Sequence, residues 1–100
     1  MNTSLDRLLQ SIESRDAVIG VMGLGYVGLP VCVAFADAGF SVVGVDIDTD
    51  RIEAINAGDS YLEDVAPELI SAVRASGRLA VSDSAENLRE VDAVLICVPT

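Results

Sequence analysis

The stretch VIGVMGLGYVGLPVCVAFADAGFSVVGVD, Val18 to Asp46, places Gly23, Gly25 and Gly28 within six positions, the only dense glycine cluster in the chain. Short Val-rich runs flank it. "AVIGVMG" (17–23) and "SVVGVD" (41–46) are apolar at successive positions, as strands covered on both faces of a parallel sheet are. Between them Val27, Val31, Ala34, Phe35 and Ala38 recur at helical spacing, and Gly39 follows as a stop signal. The stretch therefore predicts a strand, a glycine turn, a helix and a second strand.

The alternation continues outward. "DTDRIEAINAG" (48–58) predicts a helix capped by Asp48 or Asp50, with Gly58 beyond its end. "PELISAVRASG" (67–77) has Pro67 in its first turn and Gly77 after its last, the asymmetry that helices favour. "RLAVSD" (78–83) predicts a short strand, "SAENLREV" (84–91) a short helix, and "DAVLICVP" (92–99) a fully buried strand. Strands alternating with helices define the α/β class, a doubly wound parallel sheet. Right-handed crossovers give it the order 3-2-1-4. The sheet is incomplete, because the chain stops directly after a strand of the kind usually found in a sheet's centre. Residues 1–100 thus read as the amino-terminal part of a longer protein, with one edge of the fourth strand uncovered. Ahead of the sheet, residues 1–16 form an extension. Within it 3–14 predict a short helix with Leu5, Leu8, Leu9 and Ile12 on one face, serving either to pack on the domain or to dock a partner.

Composition narrows the function classes. Half of the residues (51%) are hydrophobic but only 4% aromatic, so the core is built from aliphatic side chains. Sixteen acids against six bases leave a net charge of −10, which argues against nucleic acid and anionic membranes as partners. Cys32 and Cys97, 65 residues apart (97 − 32) in apolar runs, make neither a disulfide framework nor a metal spacing, and there is no histidine to complete a zinc site. Both read as packed, reduced thiols of a cytoplasmic protein. The amino terminus lacks the apolar block of a signal peptide. No apolar run reaches the roughly 18 residues of a membrane span.

Gly23-Leu24-Gly25-Tyr26-Val27-Gly28 fits G-x-G-x-x-G, and Asp46 closes the second strand 18 residues after the last glycine (46 − 28). In this setting each residue type has a task. Gly23 permits the tight turn, Gly25 lets a pyrophosphate approach the main chain, and Gly28 lets the helix pack closely. The ligand's charge then meets unpaired N–H groups and the positive end of the helix dipole. Asp46 is placed to accept from the adenosine ribose hydroxyls. With Asp48 it would repel a 2′-phosphate, which favours NAD over NADP. A tight turn without a ligand, beside a capping aspartate, is the alternative.

"GLGYVGLP" (23–30), "AGFSVVGVDID" (38–48) and "VDAVLICVPT" (91–100) resemble the NAD-binding domain of the UDP-glucose/GDP-mannose dehydrogenase family, over residues 17–100. "GDSYLEDV" (58–65) is more similar to members acting on UDP-N-acetylglucosamine than to those acting on UDP-glucose. The resemblance implies a Rossmann-type domain of a cytoplasmic, homo-oligomeric oxidoreductase that supplies sugar nucleotides for polysaccharide. Such enzymes oxidise the C6 alcohol of a UDP-sugar to a carboxylate with two NAD, through a cysteine thioester. It further implies that Gly23, Leu24, Gly25, Tyr26, Val27 and Gly28 bind the pyrophosphate, Asp46 the ribose and Arg51 the adenosine end. Val98, Pro99 and Thr100 would run beside the nicotinamide, Thr100 as an auxiliary near the reacting centre. Arg51 reads equally as a solvated partner of Asp48 or Glu53, and Thr100 as a polar strand end. The nucleophile and the sugar-nucleotide domain are expected past Thr100, so residues 1–100 alone are expected to be inactive. A hydroxyacid-type dehydrogenase and a non-catalytic nucleotide-binding module are the competing readings.

Overall fold

The computed structural model describes residues 4–97. Four parallel strands, β1 (Val18–Met22), β2 (Ser41–Val45), β3 (Leu79–Ser82) and β4 (Ala93–Ile96), form one sheet in the order β3-β2-β1-β4, as expected. The register sets Met22 beside both Val45 and Ile96, and Val45 beside Ser82. All four strands therefore end on one line. The ladder runs one step further: Gly23 N–H donates to the Val45 carbonyl (2.8 Å), Asp46 N–H to Ser82 (3.2 Å) and Cys97 N–H to Met22 (2.8 Å). Gly23, Asp46, Asp83 and Cys97 thus make a single rim at the carboxyl ends of the sheet.

Four α-helices accompany the sheet: α1 (Ser4–Ser14), α2 (Gly28–Asp37), α3 (Thr49–Asn56) and α4 (Pro67–Ala75). Asp48 caps α3 by accepting from Asp50 N–H at 3.0 Å, while Pro67 opens α4 where a missing N–H costs nothing. Arg74, in the last turn of α4, donates to the Asn56 carbonyl at the end of α3 (2.7 Å), satisfying an acceptor the helix leaves free. Leu29, Cys32 and Val33 of α2, Ile55 of α3 and Ile70 and Val73 of α4 join Ile19, Val21, Val42 and Leu79 of the strands in one buried cluster. Each large aliphatic side chain removed from water there contributes on the order of 1.5–3 kcal/mol.

Two expectations, the helix over 84–91 and the buried fourth strand, are corrected, and the structure adds which face of α2 turns inward. The stripe of α2 that faces the sheet is Gly28, Leu29, Cys32, Val33 and Ala36; Val27, Ala34 and Ala38 are exposed and Val31 and Phe35 only half-buried. This helix is apolar almost all round, so periodicity could not choose its inner face. Residues 84–91 hold only a 3-10 turn over Ala85–Leu88, with Ser84 capping it by accepting from Glu86 N–H. The fourth strand is not buried: Val94, Leu95 and Ile96 are 44%, 39% and 66% exposed, because β4 lies at the sheet edge with a described neighbour on one side only.

Ser4–Ser14 form the amino-terminal helix α1, residue 3 lying outside the described residues, and its end is tied down. Arg15, in the left-handed region at φ 63°, donates from Nε to the Ala38 carbonyl at 2.7 Å. Leu5, Leu9 and Ile12 remain exposed on its surface, while the Leu8 side chain lies outside what is described. No helix among the described residues is long and apolar enough to cross a membrane.

Candidate functional site

The glycine turn leaves β1 at Gly23, whose φ of +100° is the left-handed region that only glycine enters at little cost. A Cβ there would also collide with the Cys97 carbonyl, and one on Gly28 would collide with the Gly23 carbonyl. Gly28 thus lets the first turn of α2 settle directly on the loop that precedes it. No side chain caps α2 at Val27; in its first turn Leu29 N–H donates to the Gly25 carbonyl at 3.2 Å and Pro30 carries no N–H. The Leu24 side chain does the opposite of its neighbours. It is fully buried and packs over Gly44, where a Cβ would come within 2.9 Å of its Cδ2.

Asp46, one residue past β2, is 7% exposed and accepts three hydrogen bonds. Its Oδ2 accepts from Leu24 N–H at 2.8 Å and from the Arg51 guanidinium at 3.1 Å; its Oδ1 accepts from Asp48 N–H at 2.8 Å. Burial pushes this carboxyl up. The Asp48 and Leu24 amides and the Arg51 guanidinium outweigh it and hold the group below the usual carboxylate value. Arg51 also approaches Asp48 at 3.6 Å. The cation therefore sits in the pairing foreseen with Asp48, and in a shorter one with Asp46 that sequence reasoning did not find. Its hydrogen bond to Asp46 strengthens its hold on the proton.

These groups border one cavity of about 730 Å³, lined by Gly23, Gly25, Tyr26, Val27, Asp46 and Arg51. Leu24 and Gly28 stand just behind that wall, as the backbone anchor and the helix start. Val98, Pro99 and Thr100 lie outside the described residues. The cavity also takes in Met22, Ile47, Asp83, Ala85 and Cys97. Three of these, Ile47, Asp83 and Cys97, follow the strands directly or one residue on. The rule that open α/β sheets bind ligands beyond the carboxyl ends of their strands would have singled them out. Cys97 packs partly against the core, but it is half-buried beside the cavity rather than inside a buried strand. Cys32 is the inert thiol expected: burial, with Cys97 nearby, pushes it up to about 12. Among the described residues no acidic or thiol cluster is built to hold a metal ion.

The donor set fits a dinucleotide. A helix end without a side-chain cap, a glycine wall and a hydrogen-bonded carboxylate border the same cavity, the carboxylate 22 residues from Leu24 in sequence yet bonded to its amide. Fold and site together define a Rossmann-type nucleotide-binding domain. Residues 17–100 match the NAD-binding domain of the UDP-glucose/GDP-mannose dehydrogenase family, and the chain belongs to that family of oxidoreductases. NAD is accordingly the cofactor.

Relatives agree with this placement. The UDP-N-acetyl-D-mannosamine dehydrogenase of Pyrococcus horikoshii is 40% identical over 85 residues, covering 82% of this chain and 20% of the relative. The GDP-mannose dehydrogenase of Pseudomonas aeruginosa, solved as a ternary complex, superposes with a TM-score of 0.76 at 33% identity, over 82% of this chain and 19% of that one. The NDP-N-acetyl-D-galactosaminuronic acid dehydrogenase of Methanosarcina mazei aligns over 100% of this chain and 23% of its own, with a TM-score of 0.79 and 33% identity. The chain thus spans about a fifth of the length of the relatives it matches.

Proposed function

We propose that this chain is the NAD-binding part of a nucleotide-sugar 6-dehydrogenase, which oxidises the C6 alcohol of a UDP-sugar to the uronate with two NAD. In this reading 17–100 are the cofactor domain, and the product feeds polysaccharide synthesis in the cytoplasm. The sugar is of the UDP-N-acetylglucosamine or UDP-glucose type. Relatives named for UDP-N-acetyl-D-mannosamine favour the N-acetylated class and add its C2 epimer as a candidate. The covalent chemistry belongs to residues outside this chain, so 1–100 bind cofactor and oxidise nothing.

The observation carrying the proposal is that the α2 end without a side-chain cap and Asp46 border one and the same cavity. The diphosphate rests on the amides from Gly25 onward, against the positive end of the helix. Asp46 Oδ1 has one protein donor and room for a second from a ribose hydroxyl. Arg51 borders the adenosine end, but its charge is matched by Asp46 and Asp48, leaving none over for a 2′-phosphate. NAD should therefore bind at least about tenfold more tightly than NADP, a difference of about 1.4 kcal/mol. Calorimetry with the two cofactors measures it, and equal affinities would remove the role given to Asp46. For the substrate, the full-length enzyme should be offered UDP-glucose, UDP-N-acetylglucosamine, UDP-N-acetylmannosamine and GDP-mannose, with NADH formation as the readout.

A further inference from the structure

The cofactor reading leaves Tyr61 without a task. This residue lies in the connection between α3 and α4, half-buried, far from the glycine turn in sequence. Its hydroxyl nevertheless donates to the Leu24 carbonyl inside that turn. Its ring faces the Arg51 guanidinium, 5.9 Å from Cζ to the ring centroid, within cation–π reach. Arg51 in turn bonds Asp46 Oδ2, which accepts the Leu24 amide. Leu24 is thus gripped at both its backbone groups: N–H by Asp46, carbonyl by Tyr61.

The geometry of one peptide plane gives that grip a consequence. The described chain has no cis peptide bond, so the Leu24 carbonyl and the Gly25 N–H point in opposite directions. Holding the carbonyl toward Tyr61 turns the Gly25 N–H away from it. Among the described residues no acceptor takes that N–H, and Gly25 lines the cavity. The carbonyl held by Tyr61 is also the one a Gly28 amide would use in an ordinary helix turn; the first bond of the α2 ladder is instead Leu29 N–H to the Gly25 carbonyl, at 3.2 Å. Burial raises the phenol above its ordinary value, against the pull of Arg51, so Tyr61 remains a donor throughout the working pH range.

We infer that Tyr61 is a positioning residue for the cofactor diphosphate: by holding the Leu24 carbonyl it aims the Gly25 amide into the cavity, and its ring seats Arg51 against Asp46. The inference rests on the NAD reading above. It gives the 58–65 segment, which sequence alone tied only to a subgroup of the family, a physical link to the cofactor.

The test uses the ¹⁵N-labelled 100-residue chain and its Tyr61→Phe variant, which keeps the ring and loses only the donor. In the absence of cofactor, the Gly25 amide resonance should shift in Y61F. NAD affinity should fall about three- to tenfold, the worth of one neutral hydrogen bond. In the full-length enzyme the same variant should raise KM for NAD by that factor and leave kcat unchanged. Tyr61→Leu, which also removes the seat of Arg51, should weaken NAD further. In the wild type, the Gly25 amide should be among the resonances that NAD moves. An unmoved Gly25 resonance in that titration overturns the inference even if Y61F does not fold. Y61F binding NAD like the wild type overturns it too, leaving Tyr61 a packing residue and the cofactor reading intact. A wild-type chain that binds no NAD in calorimetry overturns the cofactor reading and the inference with it, and is told apart from the preceding outcome because there the wild type binds NAD.

Discussion

Asp46 carries an unusual load for one side chain. Three donors converge on a carboxylate that is almost wholly buried, and they hold it ionised. The sign of its pH dependence follows from the lowered value. A carboxyl whose folded value lies below its unfolded one, about 3.9, adds stability above that pH and loses it as the pH falls through the folded value. Asp46→Asn should therefore unfold at lower urea than the wild type at pH 7, by about 1–3 kcal/mol. The gap should narrow below about pH 4, where the wild type loses the same charge. A gap independent of pH would mean that the carboxylate's charge contributes nothing to the fold. Asp46 itself was readable from sequence, since it ends a buried strand at the right distance from the glycines. Its grip on Leu24 was not, because nothing in local spacing says which backbone amide a strand-end carboxylate will meet.

The elements were more legible than their faces. Caps and stops act through neighbours in sequence, so α3 and α4 begin and end where Asp48, Gly58, Pro67 and Gly77 indicated. Asp48 gives a direct test. Asp48→Ala removes the acceptor of Asp50 N–H and should cost about 1 kcal/mol in urea unfolding, while Asp48→Asn, which keeps a capping oxygen, should cost markedly less. Equal losses in the two variants would instead assign the effect to the ion pair with Arg51 at 3.6 Å. By contrast, the inner face of α2 was illegible. Leu29 and Val33 are no more hydrophobic than Val27 and Val31, and only the approach permitted at Gly28 selects between the two stripes.

Taken together the described residues are a small body with a large charge. Its radius of gyration is 13.5 Å, and the whole chain carries −10. At about 10 mM salt the screening length of about 30 Å exceeds that radius, so every carboxylate feels the others; at about 150 mM it falls to about 8 Å. Self-repulsion should thus weaken the fold most in dilute buffer. Adding sodium chloride across that range should raise the thermal midpoint, by about 4–8 °C for each kcal/mol of repulsion removed. A midpoint that falls would show that attractive pairs such as Arg51–Asp46 outweigh the net charge. The exposed β4 edge belongs to this same scale of description, since its burial depends on what lies beside the sheet.

Strand, helix and turn order, the 3-2-1-4 sheet and the glycine–aspartate pattern of the candidate site were all present in the chain as text. Hydrophobic period, capping and turn chemistry act over a few residues, and right-handed crossovers do the rest. The tyrosine hydroxyl on the Leu24 carbonyl, the bond from Arg51 to Asp46 and the exposure of the fourth strand's side chains came only with the folded molecule. The first joins residues 37 apart, and such contacts are set by how α3, α4 and the sheet pack together, to which no local pattern of residues is sensitive.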